Sequence, residues 1–548
     1  MIVAATLALG YFGAQVAMRV TVSDALELDE AEQSLWTQAF EFGYGPQPPL
    51  YTWLQMAVFQ LLGPSVLGLA MLKNTLLAIT YGSLWMAARR LMPAPLAVTA
   101  ALSPLLLLQI GWESQRDLTH SVLATTLASL TFLLVLRLLE RPRELARWSM
   151  LGLVLGLGSL SKYSFAGFAV ILMAAVLALP ETRALLRSRR TWLGAALLGS
   201  VALAVFLPHG LWLPDHAAAA SEHALQKLSA SPMARGTQVA RGLGSFAFAV
   251  LAFLSPLWLL LLGLFGAAWW KRPWAGADAQ APSSTARADS DDHDADDPDT
   301  RRSALARRLA RNYALALLVF FAMLVIVGGA SHFRNRWLQP FLIVAPVLAF
   351  AMAPWLARHP RRRVLHACCA VAAVCWLAWA GGRVVANGLR ATPDELNEPV
   401  AALAQALRAS GAVPQGAFTL VSSDMALAGS LRLAFPQAQT LVARDAAALD
   451  AVLRGRSGTS SKPGSASLQA PVVAIQRGEE GSCAAPWSRR LGDDRPAPAR
   501  TGPLSTDRSG PDGKSGQPLE ACVGSWRFPV RYAQPNGPTV LYRVWSLP

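Results

Sequence analysis

Apolar runs alternate with short polar or basic interruptions along the first 386 positions. A hydrocarbon core about 30 Å thick needs about 20 helical residues. The runs 2–20, 66–88, 118–136, 192–207, 246–269, 313–327, 337–356 and 364–386 read as spans. The shorter runs 96–110, 150–160 and 165–179 read as spans too, which makes about eleven transmembrane helices. The run 51–62 is too short to cross, precedes Gly63-Pro64, and fits a helix lying along the interface. Beyond residue 387 the pattern changes. An amphipathic helix is predicted over 397–410. Short apolar strands follow over 418–421, 440–442, 471–475 and 540–544, with helices between them at 424–433 and 446–454. Strand and helix in turn predict a small α/β layer. The expected fold is therefore a polytopic α-helical membrane protein over 1–386 with a small soluble α/β domain over 387–548.

Composition agrees with this division. Of the 548 residues, 53% are hydrophobic and 15% charged, where a soluble protein is nearer a quarter charged. The net charge of +15 would raise nucleic-acid binding in a soluble chain. Here no basic stripe with interleaved aromatics exists, and nucleic acid is not an expected partner. The Arg-rich loops at 89–90, 137–147, 183–190, 271–311 and 358–363 fall on alternate turns, so the positive-inside rule assigns all five to the cytoplasm. The opposite face then receives Asp29-Glu30, residues 113–117, Lys162, loops 209–241 and 332–336, and the C-terminal domain, which is expected in the periplasm of a bacterial inner membrane. Residues 270–312 carry a run of seven aspartates over 289–299, backed by arginines, and read as a disordered cytoplasmic loop.

Cys368, Cys369 and Cys375 lie in an apolar run and read as packing residues. Cys483 and Cys522 lie in the polar C-terminal third and could pair outside the cytoplasm, although spacing alone does not show the geometry. No dinucleotide Gly-x-Gly motif and no zinc-type Cys/His spacing occurs.

Candidate chemistry collects at the outer ends of the helices. The stretch 28–53 opens with the acid pair Asp29-Glu30, continues with Glu32 and Glu41, and closes at Gln47-Pro48-Pro49. Acids beside a membrane boundary are costly unless they face water or a partner. The same face receives Asp117, with His120 one turn further, Lys162-Tyr163, and Arg334, Arg336 and Trp337. Cations at a membrane surface suit an anionic head group, since Arg forks onto phosphate oxygens. A carboxylate near them can accept a proton from an attacking hydroxyl. Together these parts point to group transfer from a lipid phosphate. Blander roles compete: a snorkelling anchor for Lys162 and Arg334, a helix cap for Asp117, packing for His120, solvated loop faces for Glu32 and Glu41. A transporter or flippase of lipid-linked sugars is the alternative, but it would place polar groups near the midplane in repeated, broken helices, and no repeat is visible.

The chain resembles the GT-C fold glycosyltransferases that use lipid-phosphosugars, related to protein O-mannosyltransferases and the bacterial aminoarabinose transferase. Asp29-Glu30-Ala31, Pro48-Pro49-Leu50-Tyr51-Thr52-Trp53, Arg116-Asp117, Gly156-Leu157-Gly158 to Lys162-Tyr163, and Arg336-Trp337-Leu338-Gln339-Pro340 carry the resemblance. It implies a polyprenyl-phosphate sugar donor and inverting transfer to an acceptor at the periplasmic face. It implies Asp29 as catalytic acid of the first loop, with Glu30 binding acceptor or orienting that loop, and Asp117 as a second acid. Lys162 and Arg336, with Arg334 beside them, would contact the donor phosphate; His120, Tyr163 and Trp337 are possible substrate contacts. The sugar stays open, and so does the acceptor, whether lipid, glycan or protein. No cofactor or metal ligand is expected. Relatives that carry His before the double proline can use it toward a metal; Gln47 stands there in this chain, so that role does not transfer.

Overall fold

A computed structural model describes residues 2–228, 235–270, 298–445, 447–449, 471–478 and 521–547. Most of the expected acidic loop, Cys483, and the Gly/Ser/Pro-rich stretches of the last third lie outside these residues. The chain divides into two compact units. One comprises residues 1–15, 41–54 and 71–378; the other comprises 16–40, 55–70 and 379–548.

The larger unit is helical. Five described helices are long and apolar enough to cross a membrane by length and composition: Thr119–Glu140, Arg189–His216, Arg235–Leu254, Arg301–Ile326 and Arg362–Leu389. Shorter apolar helices, among them Leu145–Ser159, Ser164–Leu177 and Leu257–Trp270, occupy other expected spans. Two predicted spans are broken. Residues 94–116 pass from an α-helix through a 3-10 turn at Ser103–Leu106 into a π-helical turn at Gln109–Glu113. Residues 335–358 contain short helices separated at Pro340, Pro346 and Pro354, each of which lacks an N–H for the ladder. The expected loop over 270–312 is also shorter than read: helix Pro298–Ile326 begins inside it and carries Arg301 to Arg311. Basic residues alone do not break a helix, since Arg is a good helix former.

Two contacts in this unit join basic loops to one another, and a third ties a basic loop to a helix. Arg90 pairs with Glu140, Arg308 reaches Glu181 at 2.8 Å, and Arg361 donates to the Leu264 carbonyl at 2.9 Å.

The second unit holds a five-stranded mixed sheet of order β2-β1-β3-β5-β4. Its strands are β1 (Phe418–Ser422), β2 (Ala438–Val442), β3 (Val472–Gly478), β4 (Ala521–Pro529) and β5 (Thr539–Leu547). The first three pair in parallel and the last two add antiparallel. Strand β4 is not among the strands expected from the sequence; Gly524, Ser525 and Arg527 divide its apolar residues into short pieces. Helices Val400–Ala409 and Met425–Ala434 cover one face, packing Leu403, Leu407, Leu427 and Leu431 against Phe418, Leu420, Val473 and Tyr542.

The first loop belongs to this same unit. Helix α1 (Ile2–Val22) ends there, and α2 (Leu28–Trp36) lies against Met425–Ala434. Leu26 and Ala31 share a core cluster with Phe59 and Leu69, and Met425 and Leu433 pack on it. Gln38, just past α2, uses its amide to pair with edge strand β2: the Thr440 N–H donates to Oε1 at 2.7 Å and Nε2 donates to the Thr440 carbonyl at 2.9 Å.

Candidate active site

Two sets of functional side chains are present, one in each unit. The first surrounds Asp29. Helix α2 begins at Glu27, and Asp29 and Glu30 occupy its first turn, where negative charge complements the helix dipole. Glu30 also accepts from the Glu27 N–H at 3.3 Å, closing a capping box. It is 1% exposed and sits in a forked ion pair with Arg19, whose Nη2 lies 2.6 Å from Oε2. Arg19 further donates to the carbonyls of Ser23 and Ala25 at 2.8 and 2.7 Å, so it ties the end of α1 to the start of α2. Glu27 is paired with Arg383, which also binds Asp394 at 2.9 Å. Burial raises the Glu27 carboxyl to about 8, against the pull of Arg383 and helped by a shared hydrogen bond with Glu395. Asp29 itself is half-buried. Of the predicted acid pair, then, Glu30 is embedded in the ion-pair frame of the loop and Asp29 stands at a different angle of the helix.

The second set lies in the larger unit, around Asp117. The π-helical turn at Gln109–Glu113 leads into Ser114–Arg116, and Asp117 follows in extended backbone. Leu118 then adopts φ +71°, a left-handed conformation unusual for a branched residue. Strain of this sort persists only where the surroundings over-determine it, and π-turns cluster at functional sites. The N-cap position of the following helix is Leu118, one residue beyond Asp117.

Neighbouring segments converge on this turn. Lys73, 2% exposed on helix α4 (Val66–Leu91), directs Nζ to the carbonyls of Gln115 and Arg116 at 3.3 and 3.4 Å. Lys162 donates to Ser121 Oγ at 2.6 Å. His120, buried, places Nδ1 3.4 Å from the Ser161 carbonyl and packs its ring 5.5 Å from that of Tyr51. Gln339 donates to Ser114 Oγ at 2.7 Å, joining the Arg334–Trp337 turn to the same segment. In that turn Arg334 is exposed, while Arg336 and Trp337 are half-buried. Tyr163 bridges elsewhere: its hydroxyl lies 3.3 Å from His209 Nε2, and His209 Nδ1 lies 2.6 Å from the Phe42 carbonyl. Hydrogen bonds thus join the segments that carry Asp117, His120, Lys162 and the Arg336 turn. Sequence reading missed Lys73, although a lone charge inside an apolar span is itself a functional signal. It also missed Glu27, Arg19 and Arg383, whose pairing depends on the tertiary fold.

Near Gln47 the chain forms a tight turn, with Tyr44 and Gln47 exchanging backbone hydrogen bonds at 3.0 Å around Gly45, which has φ +54°. Among the described residues no group of three or more His, Cys, Asp or Glu side chains converges as a metal site. The described cysteines 368, 369 and 375 are free, and the proposed Cys483–Cys522 pairing falls outside the described residues.

Comparison with known proteins places the fold. The family described as dolichyl-phosphate-mannose-protein mannosyltransferase matches residues 46–212, which include Asp117, Lys162 and Tyr163. The chain is 32% identical to the lipopolysaccharide core galacturonosyltransferase RgtA of Rhizobium johnstonii, over 88% of each chain. It is 34% identical to RgtB of the same organism over 78% of this chain and 80% of that protein. The crystal structure of ArnT from Cupriavidus metallidurans bound to undecaprenyl phosphate superposes with a TM-score of 0.51 at 17% identity, covering 86% of this chain and 92% of that one. The fold, the apolar helices and the two full-length relatives agree, and the chain belongs to the GT-C family of multi-pass membrane glycosyltransferases.

Proposed function

We propose that this glycosyltransferase moves a galacturonosyl residue, or a closely similar acidic sugar, from a polyprenyl-phosphate donor to the core of lipopolysaccharide at the periplasmic face of the inner membrane. The observation that carries this reading is the identity of about a third with two core galacturonosyltransferases over most of the chain. Neither relative is a transporter by name, which leaves the transporter alternative without support.

In the proposed reaction an acceptor hydroxyl oxygen attacks the anomeric carbon from the face opposite the phosphate. The new C–O bond forms as the bond from that carbon to the phosphate oxygen breaks, and the configuration inverts. The hydroxyl proton passes to the Asp29 carboxylate, and the electron pair leaves with polyprenyl phosphate. An Asp is a weak base toward an alcohol, so positioning and stabilisation of the leaving phosphate supply much of the rate. Lys162 and Arg336 supply that charge, with Arg334 at the exposed rim. Asp117, held by its strained turn, orients substrate hydroxyls; His120, Tyr163 and Trp337 line the donor. Glu30 keeps the Asp29 loop in place through Arg19.

The test is direct. Purified protein is incubated with undecaprenyl-phosphate [14C]galacturonic acid and core lipopolysaccharide lacking galacturonic acid. Labelled lipopolysaccharide is the expected product. No transfer here, with transfer from a neutral hexosyl donor, would overturn the sugar assignment.

A further inference from the structure

The C-terminal domain grips the first loop by a contact that has no tolerance for extra atoms. A methyl group built on Gly429 would lie 2.5 Å from both Cα and Cβ of Ala31 and 2.8 Å from the Ala31 carbonyl oxygen. Ala31 is fully buried there. Polar ties surround the crossing: Ser34 Oγ donates to the Gly429 carbonyl at 2.9 Å, and the Leu26 N–H donates to Ser430 Oγ at 3.0 Å. At one end Leu28 N–H donates to Glu395 at 3.2 Å; at the other, Gln38 pairs with the edge of β2.

The gripping helix is itself anchored. Asp424 caps it through the Leu427 N–H at 2.8 Å and lies 3.5 Å from Arg477. Arg477 forks onto Glu398, which also accepts from the Tyr542 hydroxyl at 2.5 Å. The contact therefore reaches back into strands β3 and β5.

Helical geometry makes this grip relevant to chemistry. At about 100° per residue, Ala31 stands about 200° around α2 from Asp29, Ser34 about 140° and Leu35 about 240°. The face that docks is the one opposite Asp29. A shim at the docking face moves the whole helix, and Asp29 moves with it by the same distance. A displacement of about 1 Å can cost a factor of about 100 in rate where geometry is tight.

We propose that Gly429, Ala31 and Gln38 are positioning residues through which the C-terminal domain sets the reach of Asp29. This rests on the reading of Asp29 as the base. The domain is then part of the catalytic geometry, and its small residue at 429 is required for space.

The experiment uses the full-length protein with undecaprenyl-phosphate galacturonic acid and core lipopolysaccharide. Gly429→Ala should lower kcat by about 10- to 100-fold with the donor KM little changed. Gln38→Met, which removes the tie to β2 without adding bulk at the crossing, should lower kcat severalfold and remains informative if Gly429→Ala does not fold. Unchanged kcat in a folded Gly429→Ala variant, or in Gln38→Met, overturns the proposal. Asp29→Asn is measured in parallel: full turnover in that variant removes Asp29 as base, whatever the docking variants do, and so separates the two failures.

Discussion

Arg19 holds Glu30 from eleven positions away, with Nη2 2.6 Å from Oε2 and Nε 3.2 Å from both carboxylate oxygens. The acid pair of the first loop is thereby split into two jobs. Glu30 is 1% exposed and its charge is matched, whereas Asp29 lies at the half-buried turn beside it. Glu30→Gln leaves the Arg19 cation buried without its counter-ion and should cost about 3–5 kcal/mol of stability. Asp29→Asn should cost less stability than Glu30→Gln and lower kcat by a factor of about 100 to 10,000, the range for loss of a general base. Unfolding midpoints and turnover of the two detergent-purified variants check the pair; equal stability losses would refute the division.

Glu27 makes stability depend on pH. Its folded carboxyl is raised from an ordinary 4.5 to about 8 by burial. Folding therefore favours the protonated form, and the stabilisation is complete below about 4.5. It is lost as pH rises from there through about 8, since the folded state binds more protons than the unfolded one across that window. Melting temperature should fall over that window in the wild type and fall less steeply in Glu27→Gln. Parallel curves for the two proteins would count against it.

Lys162 and Arg336 should govern donor affinity. Charge-assisted hydrogen bonds contribute about 1.5–3 kcal/mol each, which is a factor of about 10 to 100 in binding. Lys162→Met should raise the donor KM by that order. Arg336→Lys keeps the charge but loses the fork and should have a smaller effect, and Arg334→Gln, exposed, the least. Titration of the donor at fixed acceptor gives the ranking, and an Arg334 effect larger than that of Lys162 would reverse the assignment.

Lys73 tests the Asp117 turn. Its Nζ reaches two successive carbonyls immediately before Asp117. Lys73→Met fills the same volume without holding those carbonyls, and kcat should fall about 10-fold or more while the protein still elutes as one folded species. Turnover at saturating donor is the measurement; wild-type kcat would mean that the turn holds itself.

Much of this protein was legible in its sequence because membrane burial imposes length and charge rules on every segment. Apolar runs located helices, and Arg-rich loops at alternate turns predicted one face; the pairing of Arg308 with Glu181 joins two of the loops that the rule had placed together. The same rule put Asp117, Lys162 and Arg336 on the opposite face, and Gln339–Ser114 and Lys162–Ser121 join their segments. Where prolines interrupted residues 335–358, or backbone turned π-helical at 109–113, hydropathy still read a continuous span, because it senses composition and not the ladder of hydrogen bonds. Strand β4 escaped because Gly524, Ser525 and Arg527 divide its apolar residues into pieces too short to read as a strand. By itself the sequence determined the membrane class and the glycosyltransferase family, and it nominated the charged residues to examine. Only the tertiary structure decided that Glu30 pairs with Arg19, and that α2 rests on a helix some 400 positions away, Ser34 bonding to Gly429 across a sequence separation of 395. Contacts at that distance arise from the shapes of two folded surfaces, and no local periodicity encodes them.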